Sequence, residues 1–402
     1  MGYIIDFNAG IDCVKNIYGV IFDGSNKTGT RTYISKYLDF EPSNLTTAGR
    51  DDFSCLKTSP FHIKECITKY NSSTGKQEIL AYEGDSNWNQ ALQDSDHNRM
   101  IEFPKFYYKR PSKWEWQVSS YQHTGFKPSP LHYRNGVMHD YAYIAKYHAN
   151  SNFKSQSGQS IWTQTTTNYN STVSSFASQG LYNWDYALWC TLSMLMIIKY
   201  NNVDIQRVIG LGYSLESAPA TTGLADSIKG KDGYTSINKM DSGSIVCMGI
   251  ENFYSNSNKM IIGAIKTTDK FYINTNIDSI SQYMVPNLNG YSVCSTNIFN
   301  GITDLGYITD IAYDSTFDWA IYPTSGTNST YSGLEAWQRD YGNYVGDLYW
   351  SNTANTNHIL TLGGHYGTGF AAGLFYLGAY LTTTNITHSD RDYISTASFF
   401  LS

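Results

Sequence analysis

Hydrophobic positions follow two rhythms along this chain. Through the first 150 residues, short β-like runs are separated by polar turns, and aromatic and apolar residues alternate with small or polar ones over Tyr141 to Tyr147. Ile17-Tyr18-Gly19-Val20-Ile21-Phe22 runs into Asp23-Gly24-Ser25-Asn26, and Gly75 to Tyr82 repeats the pattern. Both runs predict strands. The polar stretch Gly84 to Arg99 reads as a linker or exposed loop. Met100 to Lys109 predicts a strong strand and Tyr141 to Tyr147 its partner, with Pro128, Pro130 and Gly136 marking a loop between them. Residues 149–179, rich in Ser, Thr, Asn and Gln, predict a long surface excursion. The period then changes. Trp184, Leu188, Leu192, Leu195 and Ile198 recur at three- and four-residue spacing, which predicts a helix over Asn183 to Tyr200 capped by Asn183 or Asp185. After residue 240 short strands return at Ile245–Ile250, Ile261–Ile265, Phe271–Ile273 and Tyr307–Ile311. The fold class is α+β, mostly strand with one or two helices, and no tandem repeat interrupts it.

Composition sharpens the picture. The chain has 402 residues, long enough for two or three domains. Charged residues make up only 15%, while Tyr, Asn, Ser, Thr and Gly fill their place. Aromatic content of 15% supplies ample burial, which argues against disorder. Thirty-four tyrosines exceed what one core is expected to hide, so many are expected half exposed at contacts or ligand surfaces. A net charge of −6 without a dense basic run argues against nucleic acid. The cluster Lys105, Lys109, Arg110 and Lys113, interleaved with Phe106, Tyr107, Tyr108 and Trp114, reads as a half-buried strand with a solvated face rather than an RNA-stacking platform. Six cysteines without a Cys-x-x-Cys pair predict free thiols and folding in a reducing compartment. The longest apolar run, Leu188 to Ile198, is eleven residues, too short for a bilayer span, so no membrane insertion is expected.

The last sixty residues carry the most specific signal. Gly346-Asp347-Leu348-Tyr349-Trp350 precedes Leu362-Gly363-Gly364-His365-Tyr366-Gly367-Thr368-Gly369-Phe370-Ala371-Ala372-Gly373-Leu374-Phe375-Tyr376. Small residues bend the backbone there, and rings, hydroxyls and an imidazole stand between them. That is the chemistry of a paratope-like binding surface.

Several segments together resemble the gut-phage tail proteins that diversity-generating retroelements diversify, whose C-type-lectin fold is akin to that of formylglycine-generating enzymes. The segments are Ile17-Tyr18-Gly19-Val20 with Thr30-Arg31-Thr32, Met100 to Tyr108, Gly125 to Pro130, Asp140 to Ile144, Ile197 to Tyr200 with Ile209-Gly210, Gly249-Ile250-Glu251-Asn252-Phe253, Gly363-Gly364 and Ala372 to Phe375. Their order covers nearly the whole chain. The sequence departs from the pattern after Asn252, where Tyr254-Ser255-Asn256-Ser257-Asn258-Lys259 replaces the usual Trp-Gly-Asn-Ile-Trp, and at Ile394 to Ser398.

The resemblance implies a β-rich mounting and oligomerisation region over 1–95. It implies a C-type-lectin-like receptor-binding domain over 96–402, a small twisted antiparallel sheet with flanking helices. Ligand display is expected over about 340–395, at Asp347, Tyr349, Trp350, His365, Tyr366, Thr368, Phe370, Tyr376, Tyr380, Asp390, Arg391 and Tyr393. The implied protein is a non-enzymatic tail-fibre or tail-tip component, a homotrimer folded in the host cytoplasm. Its partners would be other phage tail proteins and a bacterial surface receptor, polysaccharide or protein. A structural decoration or baseplate protein is the alternative, with an oxidase a more distant one.

Other chemistry fits less well. Formylglycine-type oxidases need a cysteine pair for copper near the C-terminal end, and after Cys247 only Cys294 is present. His123, His132, His139 and His148 read as surface or stacked histidines rather than a metal set, and His358, His365 and His388 as display residues. Asp94 to Lys105 lacks the glycine and the last acid of an EF-hand. No cofactor is expected, with lectin-type calcium at Asp347, Asn352, Asp390 and Asp392 kept as the alternative. Gly212-Tyr213-Ser214-Leu215-Glu216 lacks the closing glycine of a hydrolase elbow.

Overall fold

The structure is a computed structural model that describes residues 17–23, 27–51, 53, 58–134, 136–163, 169–275, 288–299, 306–327, 347–351, 357–382, 394–395 and 398–401. It is rich in β-sheet with few helices, as the α+β pattern predicts. Three sheets carry most of the strands. The first is antiparallel, in the order 127–128, 107–112, 115–119, 17–21, 30–33. The second, also antiparallel, runs 182–183, 398–401, 141–145, 97–104, 64–71, 76–82. The third runs 292–293, 271–273, 258–266, 358–362, 377–382, 348–351, 306–311, 323–327, with 394–395 pairing in parallel beside 258–266.

The long helix, Tyr186–Tyr200, lies among these sheets. It packs against strands 17–21 and 115–119 of the first sheet and strand 258–266 of the third. Every one of its residues is buried, where the sequence pattern suggested one apolar stripe. A helix in that position needs its polar groups paired inside the protein. Asp185 is the cap, accepting the Leu188 N–H at 2.7 Å. Its carboxylate also meets the Arg134 guanidinium at 2.9 Å, with both side chains fully buried. At the other end the helix stops at Asn201 in the left-handed region, φ 54°. Arg31 donates to the Ile198 and Lys199 carbonyls there, each at 2.7 Å. Lys199, fully buried, pairs with Asp232 at 2.7 Å and Asp51 at 2.9 Å.

Aromatic rings fill the core around this helix. Trp189 stacks on Phe253 with centroids 4.4 Å apart and planes at 16°, and Trp184 lies 5.3 Å from the same ring. Each such pair contributes about 0.5–1.5 kcal/mol beyond the area it buries. Tyrosine turns out to be a core residue here. Tyr18, Tyr108, Tyr143, Tyr147, Tyr169, Tyr186, Tyr200, Tyr254 and Tyr322 are all buried, and hydroxyl bonds such as Tyr200 to Asp232 and Tyr186 to the Ile321 carbonyl make that burial tolerable.

Several sequence expectations need correction. Strands 17–21 and 64–71, expected in a separate region over 1–95, pair directly with strands 115–119 and 97–104, so the described part of 1–95 shares sheets and core with the residues beyond it. The strand expected over Met100 to Lys109 divides at Pro104: 97–104 pairs with 141–145 in the second sheet, while 107–112 crosses to the first. Pro104 lacks an N–H to continue a ladder, and buried Phe106 anchors the corner. The expected linker Gly84 to Arg99 holds a short helix, Trp88–Leu92, and the start of strand 97–104. The expected excursion 149–179 includes the helix Tyr169–Ala177, which buries Tyr169, Thr172, Val173 and Phe176.

Replacing Asp185 with Ala leaves the Arg134 guanidinium buried without its carboxylate and removes the cap. We expect a loss of about 3–5 kcal/mol, read as a lower urea midpoint at unchanged m-value. A midpoint within error of the parent would refute this account of the helix.

Candidate functional site

The Gly363–Tyr376 segment is held by a turn formed between residues 248 and 256. Four non-glycine residues adopt positive φ there: Met248 (49°), Asn252 (50°), Ser255 (66°) and Asn256 (56°). Such conformations cost about 1–3 kcal/mol each and persist only where the surroundings fix them. Here hydrogen bonds do so. Asn252 exchanges bonds with Ile245 through both its backbone and its side chain. Asn256 donates its N–H to the Tyr213 carbonyl, accepts the Tyr366 N–H, and clasps both backbone groups of Ala220 with its amide. Ser255 donates its N–H to the Gly363 carbonyl at 2.8 Å. One strained turn thus joins loop 211–220 to loop 363–373.

The two loops also bond each other. Glu216 N–H donates to the Tyr366 carbonyl and Gly369 N–H to the Ser214 carbonyl, both at 2.8 Å. Glycine is required at the seam. Gly363 and Gly364 have φ of 87° and 79°, and a Cβ on Gly363 would sit 3.0 Å from the Trp189 ring. From below, the Trp189 indole N–H donates to the Leu374 carbonyl at 2.9 Å, which ties the loop to the central helix.

The expected display residues divide. Trp350, His365, Thr368 and Phe370 are half-buried. The Thr368 hydroxyl accepts the His365 N–H at 2.8 Å, and His365 Nδ1 accepts the Gly367 N–H at 3.0 Å, so side chains shape this loop as well as decorate it. Four others are corrected, because they are buried. Strand alternation turns Tyr349 into the main core, its hydroxyl on the Phe299 carbonyl, while Leu348 and Trp350 face a small cluster with Tyr307, Ala371 and Tyr376 on the other side. Tyr376 is a member of that cluster, and Tyr366 is buried beside His365, their rings 5.5 Å apart. Asp347 is buried beneath Gly373, where a Cβ would come within 2.3 Å of its carboxylate. It accepts the Phe375 N–H at 2.7 Å and braces the loop from inside. Of Tyr380 only the backbone, in strand 377–382, is described. Asp390, Arg391 and Tyr393 lie outside the described residues, as do Asn352 and Asp392 of the calcium alternative and His388.

Sequence reasoning missed loop 211–220 and its turn. Leu215 and Glu216 are exposed on that loop beside the 365–370 segment. The available signal was the Asn/Ser-rich run Asn252 to Asn258, since Asn tolerates the left-handed region better than other non-glycine residues.

Elsewhere the candidate chemistry is accounted for by packing. His132 is fully buried between Ser129 and the Phe103 carbonyl, and burial pushes it down to about 3. His148 lies 3.2 Å from the Asn252 carbonyl and is likewise lowered to about 3 by burial. Cys66, Cys190, Cys247 and Cys294 are free and buried, and burial raises each thiol above its usual range. In the basic cluster, Lys105 pairs with Asp140 and Lys113 with Asp310, while Arg110 is buried with its guanidinium on backbone carbonyls. Among the described residues no group of three His, Cys, Asp or Glu side chains gathers as a metal site, and no helix is long and apolar enough to cross a membrane. No protein-family model matches the sequence, and no curated protein matches it either.

Two measurements test the frame. Burial, with Asp204 adding to it, raises the Asp347 carboxyl to about 8 against the N–H bonds that favour its charge. Below pH ~4 the group is protonated in both states; as pH rises towards 8 the unfolded chain ionises first and binds fewer protons, so stability falls over that window. Comparing urea midpoints of the parent and Asp347→Asn across about pH 4 to 8 should show a decline that the variant lacks; parallel curves would contradict the assignment. Asn256→Ala should destabilise by about 2–4 kcal/mol, through lost bonds to Ala220 and a strained left-handed alanine, with Asn256→Gly recovering the conformational part. Equal losses in the two variants would show that the backbone there is not strained.

Proposed function

We propose that this chain is a receptor-binding protein of a phage tail, adsorbing to a bacterial surface ligand through the two-loop face built from residues 213–217 and 365–370. The observation that carries the reading is the strained turn at Ser255 and Asn256, which fixes both loops by backbone hydrogen bonds while leaving half-exposed or exposed side chains between them. Strain kept in a turn that serves two surface loops is the signature of pre-organisation for binding. The sequence resemblance to retroelement-diversified tail proteins, with their C-type-lectin fold, supports the same reading and adds a virion location and a homotrimeric state. The face is small, so each site binds weakly and several copies per particle supply avidity.

Within this proposal the display set contracts to His365, Thr368 and Phe370 with Leu215 and Glu216 alongside, and Trp350 on the adjoining cluster. Asp347, Tyr349, Tyr366 and Tyr376 become the frame. The face is assigned no reaction.

The double substitution His365→Ala and Phe370→Ala should reduce adsorption to host cells at least about tenfold, with stability lowered by no more than about 2 kcal/mol for the lost bond to the Gly367 N–H and the lost packing. Particles carrying it should assemble normally. Normal adsorption, or failed assembly with the isolated chain still folded, would favour a structural virion role instead.

A further inference from the structure

Backbone N–H groups from His365 to Gly369 are consumed internally. His365 N–H goes to the Thr368 hydroxyl, Tyr366 N–H to the Asn256 carbonyl, Gly367 N–H to His365 Nδ1, Thr368 N–H to the His365 carbonyl and Gly369 N–H to the Ser214 carbonyl. Across the seam the Glu216 N–H is taken by the Tyr366 carbonyl. The loop therefore offers no nest of amide donors to an anion. Among the described residues of the two loops, side chains supply no cation either. Residues 211–222 and 363–376 contain one formal charge, the Glu216 carboxylate, and no Lys or Arg. Lys259 lies against Gly363, but it is fully buried, its amine donates to the Ser255 carbonyl, and burial drives its pKa well down. Lys239 on the neighbouring loop meets this region through its carbonyl, which accepts the Leu211 N–H.

What faces outward is different in kind. Leu215 is 51% exposed, and its methyl lies 3.5 Å from where a Gly369 Cβ would stand, next to half-buried Phe370. Glu216 is exposed and presents acceptor oxygens.

We infer that this face takes an uncharged saccharide unit of the host surface and turns away saccharides that carry sulfate, phosphate or carboxylate groups. A pyranose ring has an apolar C–H face to lay against Phe370 and Leu215, and hydroxyls to donate to Glu216. Among the described residues of the two loops, an anionic sugar meets a carboxylate with neither a donor nest over 365–369 nor a cation to offset it, on a chain whose net charge is −6. A bound peptide strand would need an open ladder edge, and the N–H groups of 365–369 are already bonded. The inference rests on the receptor-binding reading above and narrows its ligand.

The test uses the purified full chain on a panel of neutral, sulfated, phosphorylated and uronic-acid saccharides, at about 50 and about 500 mM salt, which changes the screening length severalfold. Binding should be confined to neutral members and vary less than about twofold with salt, since no ion pair forms. Phe370→Ala should abolish it, while Glu216→Lys should admit anionic saccharides with salt-sensitive binding. Wild-type binding to anionic saccharides would overturn the inference, as would a host receptor destroyed by protease but not by glycosidase. Both outcomes leave receptor binding itself standing. That reading fails separately, if the folded chain and particles bearing it adsorb to no bacterial surface.

Discussion

A helix buried on every side governs this molecule. Tyr186–Tyr200 sits among strands of two sheets, and the polar groups at its ends are buried or partly buried. Each group must find a partner within the fold, and each partner comes from a distant part of the chain. Asp185 is met by Arg134, the last carbonyls by Arg31, and Lys199 by Asp51 and Asp232. Those partners recruit the N-terminal strands, the loop after 130 and the segment near 232 into one core. An unpaired charge in that position costs several kcal/mol, comparable to the whole stability of a domain. This is why the described N-terminal strands cannot stand apart.

The same helix is tied to the outer loop by an indole. Trp189 stacks on Phe253, inside the run of left-handed residues, and donates to the Leu374 carbonyl at the base of the outer loop. Core, turn and loop are therefore one continuous piece. Rigidity in the two-loop face does not arise from the loops' own composition, which is glycine-rich and would be mobile alone. It is imported from beneath, through Asn256, Ser255 and Trp189.

Local patterns were legible in the sequence where turn residues bound a short apolar run. Strands 17–21, 76–82, 141–145, 271–273 and 306–311 appeared where short runs between turn residues predicted them, and the pairing of 97–104 with 141–145 came out as expected. The helix was found to within three residues of its start because its spacing and cap are both encoded locally. Its burial all round was not legible, since period alone does not say how many faces are covered. Within the expected display segment, burial was not legible residue by residue. Tyr349 and Trp350 have similar chemistry, and only the pleat decides which one points inward. Asp347 looked like a surface acid until the structure placed Gly373 over it. Loop 211–220 was missed because its role depends on hydrogen bonds to residues more than thirty positions away, at Asn256 and Tyr366.

The placement of strand 348–351 has an evolutionary consequence. Its neighbours on one side of the pleat answer to the main core, and those on the other to a shallow cluster near solvent. Tolerance to replacement should therefore alternate along this strand like the teeth of a comb, open at Trp350 and closed at Tyr349. A contiguous block of change would break the pleat's inner row before it altered the outer one.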